Sequence, residues 1–199
     1  MQPAQQQSHY YSSQEYLQLE ELTEGKNEYH DGEILPMTGG TFKHNQVAGN
    51  FYVALKLALR KQNYPVAIGD VKLWIPLIRR CVYPDVMVIA GTINYFENRH
   101  DTITNPLIII EVLSQSTKGY DRGDKFEYYR TLPSFQEYLL VSQFKVHVEH
   151  FVKTSENKWL FSEYTQLEAK LELNTLPVII TLAEIYDEVN FEEDSSAEA

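Results

Sequence analysis

Pro106-Leu-Ile-Ile-Ile-Glu-Val-Leu-Ser-Gln-Ser-Thr117, with Tyr120-Asp-Arg-Gly-Asp-Lys-Phe-Glu-Tyr-Tyr-Arg130 close behind it, decides the fold of this chain. Leu107 to Ile110, then Val112 and Leu113, read as a strand buried on both faces, because a half-exposed strand alternates apolar with polar residues. Glu111 interrupts that run. A carboxylate there is expensive to bury unless it is paired or bound to a metal, so Glu111 asks for a partner. Residues two apart on a strand share a face, which sets Leu113 where a compensating cation would be expected, and Leu113 is apolar. The nearest replacement is Lys125. It sits on a helix predicted over Asp121 to Thr131 and stopped by Pro133, one turn after Asp121, so that both project from one face.

Working outward, Cys81-Val-Tyr-Pro-Asp-Val-Met-Val-Ile-Ala90 sets a second carboxylate, Asp85, into an apolar strand. If the two strands are neighbours, Asp85 and Glu111 meet in one part of the sheet. Two oxygen ligands on rigid strands suit a hard cation such as Mg²⁺ or Mn²⁺, with the Val112 backbone carbonyl as a third ligand and waters and substrate phosphate completing the shell. Such an ion lowers the pKa of bound water and stabilises charge on a phosphoryl oxygen. Lys125 would steady the attacking water or neutralise phosphate charge, and would also compensate Glu111.

The remaining elements place these residues in a mixed α/β domain, an α+β mixed sheet with flanking helices. A helix is expected from Ser12 or Ser13, where Ser12 and Glu15 have capping-box spacing, to near Gly25. Asp31-Gly32 marks a tight hairpin with Glu28 on its first arm and Glu33 on its second. His44 to Gln62 reads as a helix with Val47, Phe51, Leu55 and Ala58 on one stripe. Val66 to Ile75 and Val82 to Ala90 read as strands around a turn at Pro76 to Arg80, and residues 91–105 as a long polar connection. Glu137 to Val141, Val146 to Val152 and Trp159 to Tyr164 suggest an antiparallel C-terminal meander, and Leu182 to Tyr186 a last helical turn. One domain over residues 12–188 is expected, between a mobile Gln-rich tail at 1–11 and an acidic disordered tail at 189–199.

Composition narrows the function. At 199 residues and 43% hydrophobic, the chain can bury a sizeable core. Its single cysteine, Cys81, excludes an intramolecular disulfide or a multi-cysteine zinc site and fits a reducing compartment. The first residues lack the features of a signal peptide, and no apolar run approaches the roughly 20 residues that span a bilayer. No membrane partner is expected, and the cytoplasm is the expected location. A formal net charge of −11 argues against a nucleic-acid partner. It is unevenly placed, however: Asp187 to Ala199 carries six acids without Lys or Arg, and Arg60 to Arg130 carries ten Lys or Arg against eight Asp or Glu.

Tyr83-Pro84-Asp85 followed by Glu111-Val112-Leu113 resembles the PD-(D/E)XK nuclease superfamily in a form whose lysine has moved to a neighbouring helix. More specifically, five motifs look like the Uma-type restriction endonuclease family. They are Glu28 to Ile34; Met37-Thr38-Gly39-Gly40-Thr41 with His44; Tyr83 to Val86; Glu111 to Ser114; and Tyr120 to Phe126. Their order and approximate spacing match from about residue 12 to 188. The resemblance implies a restriction-endonuclease-like fold, metal-dependent cleavage of DNA phosphodiesters and a homodimer. Carried over by position, Asp85 and Glu111 hold the metal, Lys125 is the catalytic lysine and Glu28 is a further acidic site residue. Leu113 departs from the superfamily's usual lysine.

Each residue has a plainer reading. Asp85 and Glu111 could cap backbone amides or pair with arginine, Lys125 could be a solvated helix lysine paired with Asp121, and Glu28 could decorate an exposed hairpin. His44 is either a helix-start polar residue or a phosphate contact, and Asp121 a helix cap or an orienting group. The tyrosines and phenylalanines read as core, as does Cys81. Two rivals stand beside the nuclease: a catalytically inactive nuclease-fold protein that binds nucleic acid or a protein, and a hydrolase of another phosphoester.

Overall fold

The structure, a computed structural model, describes residues 9–191. Its centre is β8 (Pro106–Leu113), inside a six-stranded mixed sheet. The other strands are β3 (Val66–Ile68), β6 (Val86–Ile89), β9 (Glu137–Ser142), β10 (Val148–Ser155) and β11 (Lys158–Tyr164), in the order β11-β10-β9-β8-β6-β3. β8 runs parallel to β9 and antiparallel to β6. Both faces of β8 are covered. Ile108, Ile110 and Val112 pack with Val47, Phe51 and Leu55 of α2 (Phe42–Ala58). Ile109 and Leu113 turn the other way, toward Tyr129, Leu132 and Phe135. Burying each isoleucine contributes roughly 1.5–3 kcal/mol, which helps offset the cost of the Glu111 carboxylate among them. The meander expected at the C-terminus is β9-β10-β11, antiparallel throughout.

A second sheet, ordered β2-β1-β5-β4-β7, contains β1 (Asn27–His30), β2 (Glu33–Pro36), β4 (Lys72–Ile75), β5 (Arg80–Val82) and β7 (Thr102–Ile103). The strands predicted over Val66 to Ile75 and Val82 to Ala90 are therefore each two strands, one half in each sheet. They bend at the same level. Gly69 adopts φ +65°, a region that favours glycine, and its N–H bonds the Asp85 carbonyl at 2.9 Å. Opposite it, Pro84 has no N–H to give a ladder. Apolar residues resume on the far side of each bend, with β4 and β6 buried and β3 half-buried, so the apolar runs alone did not reveal the change of sheet. Asp85 consequently sits at the bend, immediately before β6, and not inside a continuous strand as expected.

The first helix, α1 (Ser13–Leu22), carries the predicted capping box between Ser12 and Glu15. The β1-β2 hairpin turns through Asp31 at φ +42° and Gly32 at φ +104°. The expected polar connection is more ordered than its composition suggests: β7 adds to the second sheet parallel to β4, and the Asn105 amide bonds the Ala90 and Thr92 carbonyls. The helix after β8 starts earlier than predicted and has three pieces, α3 (Lys118–Tyr120), a π-helical turn (Asp121–Lys125) and α4 (Phe126–Tyr129). A short ladder of β12 (Lys170–Glu172) and β13 (Ile179–Thr181) leads into α5 (Leu182–Ile185), which packs with α2.

Residues 1–8 and 192–199, most of the two expected tails, lie outside the described residues. Next to them, the Tyr11 N–H bonds the Gly32 carbonyl at 2.9 Å, and the Phe191 ring lies 5.6 Å from that of Tyr186. Among the described residues, no helix is long and apolar enough to cross a membrane.

Candidate active site

Glu111 finds three partners, all from elements that flank β8. The Lys125 ammonium lies 3.1 Å from its Oε1, and the Tyr129 hydroxyl donates to the same oxygen at 2.6 Å. Its Oε2 receives only a long contact, 3.4 Å from the Asp85 N–H. Asp121, Lys125 and Tyr129 recur every four residues, and all three are buried on one side of the helix. A π-turn, wider than an α-turn, holds the first two, and such insertions are frequent at functional sites.

Lys125 also lies 3.0 Å from Asp121 Oδ1. The approach lacks the angular geometry of a hydrogen bond, so that buried oxygen has a charge beside it but no directional donor. The electrostatics follow from burial. Desolvation pushes the Glu111 carboxyl up to about 8, against the pull of Lys125, with Asp85 and Asp121 adding to the rise. Burial alone would lower the Lys125 ammonium, yet Glu111, Asp121, Glu28 and Asp85 outweigh it and hold Lys125 well above an ordinary lysine. One buried cation is shared among several carboxylates, which leaves the cluster rich in negative charge.

Asp85 is held from two sides. Its Oδ2 accepts the Val112 N–H at 2.7 Å and lies 3.2 Å from His44 Nε2. His44 belongs to the first turn of α2, where its own N–H bonds the Thr41 hydroxyl at 3.1 Å. Burial disfavours the charged imidazole, but the bond to Asp85, its charge and the Val112 backbone prevail and raise the His44 pKa. Gly40 makes room for this ring: a Cβ there would lie 3.0 Å from His44 Nδ1. His44, Asp85, Glu111, Val112, Asp121 and Lys125 all line one open cleft of about 1100 Å³.

Glu28 is placed differently. It is buried on β1, bonded to His30 at 2.9 Å and to the Tyr120 hydroxyl at 3.0 Å, and it does not line the cleft. Burial would raise its carboxyl, but the His30 bond and the Lys125 charge bring it below the usual value. Its link to the site runs through Lys125, whose ammonium lies 5.4 Å over the Tyr120 ring. Tyr129 is the site residue that sequence reasoning missed, having placed the tyrosines in the core; its signal was the four-residue spacing from Lys125.

The donors test a metal's fit. Asp85 and Glu111 offer carboxylate oxygens on adjacent segments, and the incompletely bonded oxygens of Glu111 and Asp121 lie in a negatively charged cluster. Such oxygen donors fit a hard cation that keeps several of its waters. Among the described residues, no group of three or more His, Cys, Asp or Glu forms a ready-made metal cage.

In a mixed sheet, Asp85 at the bend before β6 and Glu111 on the neighbouring β8 thus come together beside a lysine from the following helix, an arrangement like that of restriction-endonuclease-like proteins. Residues 13–183 match the family model Uma2, described as "Putative restriction endonuclease", and the chain belongs to that family. Two uncharacterized proteins of Synechocystis sp. are similar to it. One, sll1609, is 40% identical, covering 82% of this chain and 93% of that protein. The other, slr1290, is 34% identical, covering 88% and 90%. The crystal structure of "a putative nuclease belonging to DUF820" from Anabaena variabilis aligns with a TM-score of 0.69 at 16% identity, covering 89% of this chain and 98% of that one. At that identity the likeness establishes the fold, which is nuclease-like.

Proposed function

We propose that this chain is a divalent-metal-dependent endonuclease that hydrolyses DNA phosphodiester bonds. One observation carries the reading: Glu111, 2% exposed, engages Oε1 with Lys125 and Tyr129 while Oε2 keeps only its long contact to Asp85, in an open cleft of about 1100 Å³. Asp85 and Glu111, with the Val112 carbonyl, would hold Mg²⁺ or Mn²⁺. The ion would supply an acidified water and charge stabilisation at the phosphoryl oxygens.

The chain's own groups do the rest. Lys125, kept protonated by its carboxylate neighbours, stabilises negative charge developing on the phosphate and does not serve as a base. His44 orients Asp85, and Asp121 and Glu28 keep Lys125 charged and in place. Residues 12–188 act as one catalytic domain, in a homodimer and in the cytoplasm, as the family resemblance and the composition imply.

The test is cleavage of plasmid and single-stranded DNA with Mg²⁺ and Mn²⁺, run beside Glu111→Ala. Metal-dependent cleavage that the substitution removes is the expected result; equal cleavage by the variant sinks the assignment. A second reading, a nuclease fold that binds nucleic acid or protein without cutting, draws on apolar Leu113 in the usual lysine position and on the net charge of −11. It predicts binding without cleavage under every metal tried.

A further inference from the structure

Gln143, the residue after β9, is 3% exposed and lines the cleft. Its Oε1 accepts the Thr41 hydroxyl at 2.6 Å. Thr41 is the N-cap of α2, and its Oγ1 also accepts the His44 N–H, which leaves the hydroxyl proton to be given to Gln143. In this orientation the Thr41 hydroxyl both accepts from His44 and donates to Gln143, whereas a flipped amide would leave the hydroxyl proton to solvent. The Gln143 N–H₂ group is left with two donors that no described residue accepts. Its nitrogen is not among the buried atoms sealed without a partner, and Gln143 is one of the residues that line the cleft.

The same corner contains the start of a 17-residue helix. An α-helix leaves its first N–H groups without intrahelical acceptors and concentrates positive potential at that end. Thr41 satisfies His44, and Phe42, the first helical residue, also lines the cleft. Because the His44 ring lies 3.2 Å from Asp85, this corner is one side chain away from the carboxylate pair. In a chain of net charge −11, long-range attraction cannot collect a polyanion. Fixed neutral donors at a helix end can hold one locally.

We propose that Gln143 and the α2 N-terminus form a phosphate subsite, which seats a backbone phosphate of a DNA strand beside Asp85 and Glu111. The choice of DNA as ligand rests on the endonuclease reading; the donors themselves specify a phosphodiester.

Fluorescence anisotropy with labelled single- and double-stranded oligonucleotides in EDTA tests it, comparing wild type with Gln143→Glu and Gln143→Leu. Glutamate keeps the acceptor for Thr41 but replaces the two donors with an anionic oxygen, so affinity should fall by about 30-fold or more. Leucine removes the donors without adding charge and should cost roughly tenfold. Thermal melts identify folded variants, and Gln143→Leu carries the test if Gln143→Glu does not fold. Wild-type affinity in a folded variant, or no binding by the wild type, overturns the subsite. A wild type that binds DNA but never cuts it defeats the endonuclease reading and leaves the subsite standing. One that cuts DNA while Gln143→Glu binds equally defeats the subsite alone.

Discussion

The large sheet buries two glutamates, on adjacent strands, and the protein treats them in opposite ways. Glu137, at the start of β9, is fully buried, and both of its oxygens are engaged. Oε2 meets His150 at 2.6 Å, and Oε1 accepts the N–H and the hydroxyl of Thr175, each at 2.5 Å. Burial opposes its ionisation, but those bonds outweigh burial and bring its carboxyl below the usual value. Glu111, on β8, is raised by burial because its partners compensate it only in part. A completed hydrogen-bond set turns a buried acid into a structural clamp, whereas an incomplete one leaves it able to take a further ligand. Only the second of these acids lines the cleft.

The largest effect separates the two acids by activity. Glu111→Ala should lower metal-dependent cleavage by about 10³-fold or more, while Glu137→Ala leaves turnover per folded molecule close to wild type. Comparable activity loss in both variants, assayed at matched folded fraction, would erase the distinction. Stability should rank them the other way. Glu137→Ala strands His150 and the Thr175 donors, at a cost of about 3–5 kcal/mol in urea titrations.

Acid sharpens the contrast. A carboxyl whose folded pKa lies below its ordinary 4.5 adds stability that is fully present above 4.5 and is lost as pH falls through the folded value. Glu137→Gln should therefore flatten the loss of stability below about pH 4.5, measured by denaturation across that range. An unchanged acid profile would show that His150 and Thr175 do not set this carboxyl.

A smaller effect tests what completes the bonding of Glu111 Oε1. Tyr129→Phe keeps the ring that packs on Phe135 and Tyr138 but removes the hydroxyl. Mn²⁺ affinity by calorimetry should drop about tenfold, with a stability loss of about 1.5–3 kcal/mol. Unaltered Mn²⁺ affinity would make Tyr129 a packing residue only. Smallest of all, Gly40→Ala crowds His44 and should reduce kcat/KM on the order of threefold, with stability within about 0.5 kcal/mol of wild type.

Much of the fold was readable because its signals are local. The apolar run of β8, the Ser12–Glu15 cap, the Asp31-Gly32 turn and the α2 stripe each depend on residues a few positions apart. The bends at Gly69 and Pro84 were hidden because apolar residues resume on the far side of each, whether or not the chain changes sheet. The π-turn was also hidden, since one extra residue per turn leaves no compositional mark.

For the site, the sequence by itself determined that Glu111 needed a cation, that Leu113 could not be it and that Lys125 was the nearest candidate. These conclusions follow from desolvation cost and from the two-residue period of a strand. Only the tertiary structure decided that Asp85 stands at a bend beside Glu111, that Tyr129 shares Lys125's task and that Glu28 reaches the site from behind Tyr120. It alone completed the hydrogen-bond set of Glu137 and left that of Glu111 incomplete. Whether a buried acid is satisfied depends on partners brought from 13 to 38 residues away, and no local pattern records that distance.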